Sequence, residues 1–182
     1  APMSLLPGAE VYITERLSLY NEIALQLGKN DDFDSTAINK KYFRYKAELR
    51  YYLAADKRNF KPYIGGQFTT SRRSFDVDKT DRYYDTFQQD SAYSYSSASI
   101  SSPVKTFTIQ FGLAIKTYKN FYIDVAMGAG TRLINTTYTN VVNLQKINNT
   151  GFFNINPVST YRYNGKLNRT QLNLAFRISY RF

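Results

Sequence analysis

The chain has 182 residues, with 24 Lys+Arg against 14 Asp+Glu, a formal net charge of +10, and neither cysteine nor histidine. Disulfides, thiol nucleophiles, thiolate metal sites and histidine acid–base chemistry are thereby excluded, while the redox compartment stays open. Apolar residues make up 43%, with 17 Tyr and 13 Phe but no Trp, yet mean hydropathy is −0.45, and no run approaches the roughly 20 apolar residues of a membrane helix.

Ala1–Leu6 reads as the end of one strand and Pro7-Gly8 as a tight turn. This start shows neither a charged n-region nor an apolar h-region, and the first strand is too short to span a membrane unless residues before Ala1 belong to it. Ala9–Thr14 is a short strand with Val11 and Ile13 opposite Glu10, Tyr12 and Thr14. After a turn at Glu15-Arg16, Leu17–Gly28 alternates again, with Leu17, Leu19, Ile23, Leu25 and Leu27 on one side and Ser18, Tyr20, Glu22, Ala24 and Gln26 on the other. Lys29–Lys41 has the composition of a solvated loop.

Tyr42–Ala54 is the clearest strand: Phe43, Tyr45, Ala47, Leu49, Tyr51 and Leu53 alternate with Arg44, Lys46, Glu48, Arg50 and Tyr52. Four charges on one face do not fit the apolar inner face of a soluble sandwich. Ala55–Asn59 is a short turn. Phe60–Ser71 follows, with Phe60, Ile64 and Phe68 opposing Lys61, Tyr63, Gln67 and Thr69, and with Pro62 near the strand's beginning, where a missing donor is tolerated.

Arg72–Pro103 reads as a long loop rich in Ser, Asp and Tyr. Its Asp76, Asp78, Asp81, Asp85 and Asp90 meet neither EF-hand nor nonapeptide calcium spacing, so a solvated segment is expected. Val104–Thr117 resumes the alternation, Tyr118–Asn120 is a tight turn, and Phe121–Asn135 sets Phe121, Ile123, Val125, Met127 and Leu133 against Tyr122, Asp124, Gly128, Gly130 and Arg132. Gly128 and Gly130 lie inside that strand with no helix behind them, which excludes a phosphate loop and places them where an interior is crowded. Thr136–Lys166 is a second long, Asn- and Thr-rich segment. Leu167–Phe182 closes the chain: Leu172, Leu174, Phe176, Ile178, Tyr180 and Phe182 face one way, and Gln171, Asn173, Ala175, Arg177, Ser179 and Arg181 the other.

Connections alternate between short (Glu15-Arg16, Ala55–Asn59, Tyr118–Asn120) and long (Lys29–Lys41, Arg72–Pro103, Thr136–Lys166). The expected fold is all-β, a transmembrane up-and-down antiparallel β-barrel of about eight strands with short periplasmic turns and long extracellular loops, occupying 1–182 as one domain. Inward charges then form a lumen ion-pair network of Glu10, Glu22, Arg44, Lys46, Glu48, Arg50, Lys61, Lys116, Asp124, Arg132, Arg177 and Arg181, which fills the interior of a barrel this small. A lipocalin-like soluble barrel, the competing fold, would bury those charges in its cavity and expose the aromatic and leucine faces to water.

The phrases KAELRYYL, KPYIGGQF, FYIDVAMGAGTR and the ISYRF end make the chain similar to small outer-membrane barrels of Bacteroidota, and loosely to the OmpA/OmpX type. The resemblance spans nearly the whole chain but rests on pattern and short phrases. It implies location in the bacterial outer membrane, contact with lipid and lipopolysaccharide, and a C-terminal signal of Phe176, Ile178, Tyr180 and Phe182 read by the barrel-assembly machinery. The triplets Asp34-Ser35-Thr36 and Asp90-Ser91-Ala92 resemble Bacteroidota O-glycosylation sites.

The basic residues are dispersed along strands with no RNP, KH, helix-turn-helix or zinc pattern, so nucleic acid is not an expected partner. Barrel enzymes of this membrane resemble one another in using a histidine base, and here the carboxylates sit among basic residues; the expectation is a non-enzyme without cofactor or metal. It acts by contact, as an accessory subunit of a larger outer-membrane complex or as a surface-recognition protein using its long loops, of which the Tyr- and Ser-rich SAYSYSSAS suits adaptable contacts. A narrow solute or ion channel is the alternative from another class, and a soluble ligand-binding barrel the third.

Overall fold

The computed structural model describes residues 4–5, 7–26, 37–53, 59–85, 91–118, 121–148 and 162–180. They form the strands β1 (Ser4–Leu5), β2 (Gly8–Tyr12), β3 (Leu17–Gln26), β4 (Ala37–Tyr52), β5 (Phe60–Val77) and β6 (Asp81–Asp85). After these come β7 (Ser91–Tyr95), β8 (Ser97–Ser101), β9 (Val104–Tyr118), β10 (Phe121–Val142), β11 (Gln145–Asn148) and β12 (Tyr163–Tyr180). There is no α-helix among the described residues. The alternation read from the sequence is the cause: each strand offers one apolar and one polar face, and pairing satisfies its backbone groups.

The main sheet is an antiparallel meander, β3–β4–β5–β9–β10–β12, in which every strand pairs with the next in that order. Its register keeps the polar faces together. Tyr20 lies opposite Glu48, Glu48 opposite Gln67, Gln67 opposite Thr108, Thr108 opposite Gly130 and Gly130 opposite Gln171. The sheet curls so that this tier faces inward, because Arg177 of β12 reaches Glu48 of β4 and Arg50 of β4 reaches Asp124 of β10.

Pro7-Gly8 differs from the expected turn. β1 and β2 both pair antiparallel with β3, Ser4 opposite Gln26 and Gly8 opposite Glu22, so they are two pieces of one strand. The reason is local: Pro7 still offers its carbonyl to the Ile23 N–H at 3.1 Å, and Gly8 is required because a side chain there would run into the Tyr20 ring. The meander therefore contains seven strand positions among the described residues, with β1 and β2 sharing the first.

The two long polar segments also differ from expectation. β5 continues to Val77 and β10 to Val142, and β8 carries the line of β9 on past Ser102-Pro103, lying between β5 and β10. Pro103 has no N–H, yet its carbonyl accepts from the Asn135 N–H at 3.0 Å, and Ser102 Oγ meets Thr136 Oγ1 at 2.8 Å in a fully buried contact. β6 and β7 pair with each other, β7 with β11, and β6 with the start of β12 in parallel. This extension has its own core of Phe75, Val77, Tyr83, Tyr95, Ala98 and Ile100. Arg72–Pro103 is thus largely strand, because its Phe, Val, Tyr and Ile residues bury one another.

Gly112 makes room in the interior for Tyr63, its cross-strand partner, whose ring occupies the space a side chain would take. Tyr63 in turn donates to Asp124 Oδ1 at 2.8 Å. Gly112→Val is expected to displace that ring and to cost about 1–3 kcal/mol, the usual range for overpacking, read as a lower urea midpoint; an unchanged midpoint would show that the ring has somewhere else to go.

Candidate functional site: a charged interior

The inward positions of β2, β3, β4, β10 and β12 supply the charges, and strand register sets which of them meet. Arg50, 2% exposed, is the hub. Its Nε lies 2.6 Å from Glu48 Oε1, and its Nη1 lies 2.9 Å from Asp124 Oδ2 and 3.4 Å from Glu10 Oε2. Arg177 joins the same acids from β12, at 3.0 Å to Glu48 Oε2 and 3.3 Å to Asp124 Oδ2. One level toward the extension, Glu22 takes Arg44 at 2.8 Å and also Lys46. Four carboxylates and four cations interlock (Glu10, Glu22, Glu48 and Asp124 with Arg44, Lys46, Arg50 and Arg177).

Phenols complete the cluster. Tyr52 donates to Glu10 at 2.7 Å, as does Ser18 at 2.6 Å, and Tyr20 donates to Glu22 at 3.1 Å. The Tyr20 ring also lies under the guanidinium groups of Arg50 and Arg177, with carbon-to-centroid distances of 4.6 and 5.0 Å. Isolated buried charges would be very costly, so the multiplicity of partners is what lets them stay charged away from water. Such a cluster fixes the register of the strands that carry it. It gives no carboxylate that is free to act as a base without surrendering a cation.

The other members of the expected network fall elsewhere. Lys61 is buried, with its ammonium 5.7 Å from the Tyr122 ring centre. Lys116 is exposed near the end of β9, and Arg132 is half-buried; neither makes an ion pair among the described residues. Arg181 and Phe182 lie outside the described residues, and of Tyr180 only its place at the end of β12 is described. Phe176 and Ile178 project outward and are exposed. Of the glycosylation-like triplets, Asp34-Ser35-Thr36 and Asp90 lie outside the described residues, while Ser91 is buried in the extension.

Beside the cluster, a cleft of about 550 Å³ runs toward the edge of β12, lined among others by Arg44, Lys46, Arg132, Asn173 and Arg177. No protein-family model, curated protein or solved structure matches the chain.

Sequence reasoning placed Tyr20, Tyr52 and Tyr63 on the inward face but left them out of the network. The available signal was their parity with Glu22, Arg50 and Lys61. A second feature it missed is the tyrosine group of the extension: Tyr83 stacks on Tyr138 at 4.3 Å and on Tyr93 at 5.3 Å, and Tyr95 meets Tyr138 edge-on at 5.7 Å. Nearby, β4 has a bulge where Asn39 adopts φ 53° and donates to Asp76 Oδ2 at 2.8 Å. Hydrogen bonds from Asn39 and then Ser99 hold the Asp76 carboxyl below its ordinary pKa. A depressed carboxylate stabilises the fold above its unfolded pKa and loses that contribution as pH falls through the folded value. Hydrogen-exchange protection at 37–41 and 97–101, taken as the rate relative to the intrinsic rate at each pH, is accordingly expected to fall from neutral pH to about pH 3 in the native chain and to change less in Asp76→Asn.

Proposed function

We propose that the chain is an integral outer-membrane β-barrel that catalyses no reaction and works by protein contact, either docked on a larger outer-membrane complex or recognising partners through its long-loop end. One observation carries this reading: the polarity of the fold is inverted. Glu48 is 0% and Arg50 2% exposed, whereas Ile109 is 68%, Phe111 61% and Met127 64% exposed on the outer face. An outward apolar band over a polar interior is the arrangement a bilayer favours and water does not. In this reading the turns after β2, β4 and β9 are periplasmic, and lipid and lipopolysaccharide cover the band. The barrel-assembly machinery reads Phe176, Ile178, Tyr180 and Phe182.

The ion-pair cluster across the interior supports a filled barrel over a channel. It also disfavours a lipocalin-like carrier, whose cavity would be apolar. The extension, with half-buried tyrosines at Tyr84, Tyr93 and Tyr138 around its core, is the natural contact region at the long-loop end. The test is purification of a tagged chain from native membranes in mild detergent, with co-purifying proteins quantified. A stoichiometric large partner that survives washing is expected; recovery without detergent, or a lone barrel with single-channel conductance, would contradict the reading.

A further inference from the structure

Charge on the outer face of the meander is confined to its long-loop side. Among the described residues the outward positions at the short-turn side (Leu17, Leu53, Phe60, Ile115 and Phe121) are all uncharged, and no outward acid stands between them and the level of Leu133. Lys105 of β9 lies opposite Leu133, and Arg72 of β5 and Lys166 of β12 stand one outward position further toward the extension. All three are exposed and make no ion pair among the described residues. The acid that follows on this face of β5, Asp76, is already held by Asn39 and Ser99 and has Lys41 beside it. Height gives these cations a meaning. Leu133 is twelve positions along β10 from Phe121, which at about 3.3 Å per residue and a tilt of about 40° is about 30 Å, the thickness of a hydrocarbon core. Lys105 thus emerges where hydrocarbon gives way to headgroups, and Arg72 and Lys166 a step higher.

Directly beneath the cations the outer face is grooved. Phe68 and Phe107, cross-strand partners with ring centres 5.0 Å apart, lie one outward position below Lys105. At the next position Gly66 sits exposed between Leu49 and Ile109, and a side chain there would meet nothing within 4 Å. The result is a shallow apolar groove of about 550 Å³ bordered by Leu49, Phe68, Phe107, Ile109 and Ala129. A slot that ends under a guanidinium and an ammonium complements an anionic amphiphile, because the guanidinium offers phosphate a planar fork and the ammonium a point charge. We propose that this face binds a phosphate-bearing lipid of the leaflet on the long-loop side, with its phosphate on Arg72 and Lys105, Lys166 flanking it, and one acyl chain over Gly66. The inference rests on the membrane reading and gives the lipid contact a defined site and headgroup.

The test uses the purified full chain in a neutral detergent, titrated with dioleoyl phosphatidic acid or dioleoyl phosphatidylcholine, with bound lipid counted by native mass spectrometry. Saturable retention of phosphatidic acid in preference to phosphatidylcholine is expected. Arg72→Ser and Lys105→Ser should each weaken it about fivefold, and the double variant about twenty-five-fold, the effect of one and two cations at a membrane surface. Both positions are exposed, so the fold should be indifferent to the changes. Gly66→Leu fills the groove without touching a charge and should weaken binding at least about fourfold, the worth of one buried methylene. Excess inorganic phosphate should leave the lipid bound; its displacement would mean that the cations take free phosphate and the groove has no part, which overturns the proposal. Equal retention of the two lipids, or unchanged retention in the double variant, overturns it too. A chain that requires detergent yet shows no preference between the lipids sinks the lipid site while leaving the membrane reading in place, whereas recovery without detergent removes both.

Discussion

Arg50→Ala is expected to destabilise the protein by about 3–5 kcal/mol, the cost of removing one partner from a buried ion pair. Three carboxylates, Glu10, Glu48 and Asp124, lose their common cation, and Arg177 reaches only the last two. The measurement is the urea midpoint for folding into detergent micelles, followed by far-ultraviolet circular dichroism. Arg50→Lys should fall between the two, since an ammonium keeps the charge but cannot reach three acids with a planar fork. A loss below about 1 kcal/mol would place the cluster in the range of solvent-screened pairs and contradict a water-poor interior.

Met127→Arg separates a bilayer from water by size of effect. Met127 points outward from β10, six positions along from Phe121 at the short-turn end, near the middle of the apolar band. In a membrane an arginine there costs about 2–4 kcal/mol, falling to about 0–1 kcal/mol near the interface, so Phe121→Arg should be the milder change. On a water-exposed surface both substitutions would stay within about 0.5 kcal/mol. Folding stability in phospholipid vesicles, compared for the two variants, reads the gradient directly.

The parts of this fold legible from sequence are those in which local alternation decides. Phe43–Leu53 and Val104–Thr117 declared their faces because each long strand must put one face inward and the other outward. The same parity identified Glu22, Arg44, Lys46, Glu48, Arg50, Asp124 and Arg177. It could not tell which inward charges share a level, because that depends on register between strands; hence Lys116 and Arg132 were grouped with acids they do not meet. The extension was illegible for a different reason. Phe75, Tyr83, Tyr95 and Ile100 are scattered among Ser and Asp, and their common core exists only once the end of β5 and three short strands, β6, β7 and β8, have come together. Pro7-Gly8 carried a turn signal, but Tyr20, twelve residues on, is what the glycine serves.

The most direct test of the inverted polarity is a nitroxide scan along β9, which sits between β5 and β10, in the chain reconstituted into phospholipid vesicles. The absence of native cysteine allows single cysteines at each position from 106 to 113. Collision rates with oxygen, which partitions into lipid, and with a water-soluble nickel chelate are then compared. High oxygen and low nickel accessibility at Phe107, Ile109, Phe111 and Leu113, alternating with low values of both at Thr106, Thr108 and Gln110, is the predicted pattern. High nickel accessibility at Ile109 and Phe111 would mean that their outer face meets water, and the membrane assignment would fail.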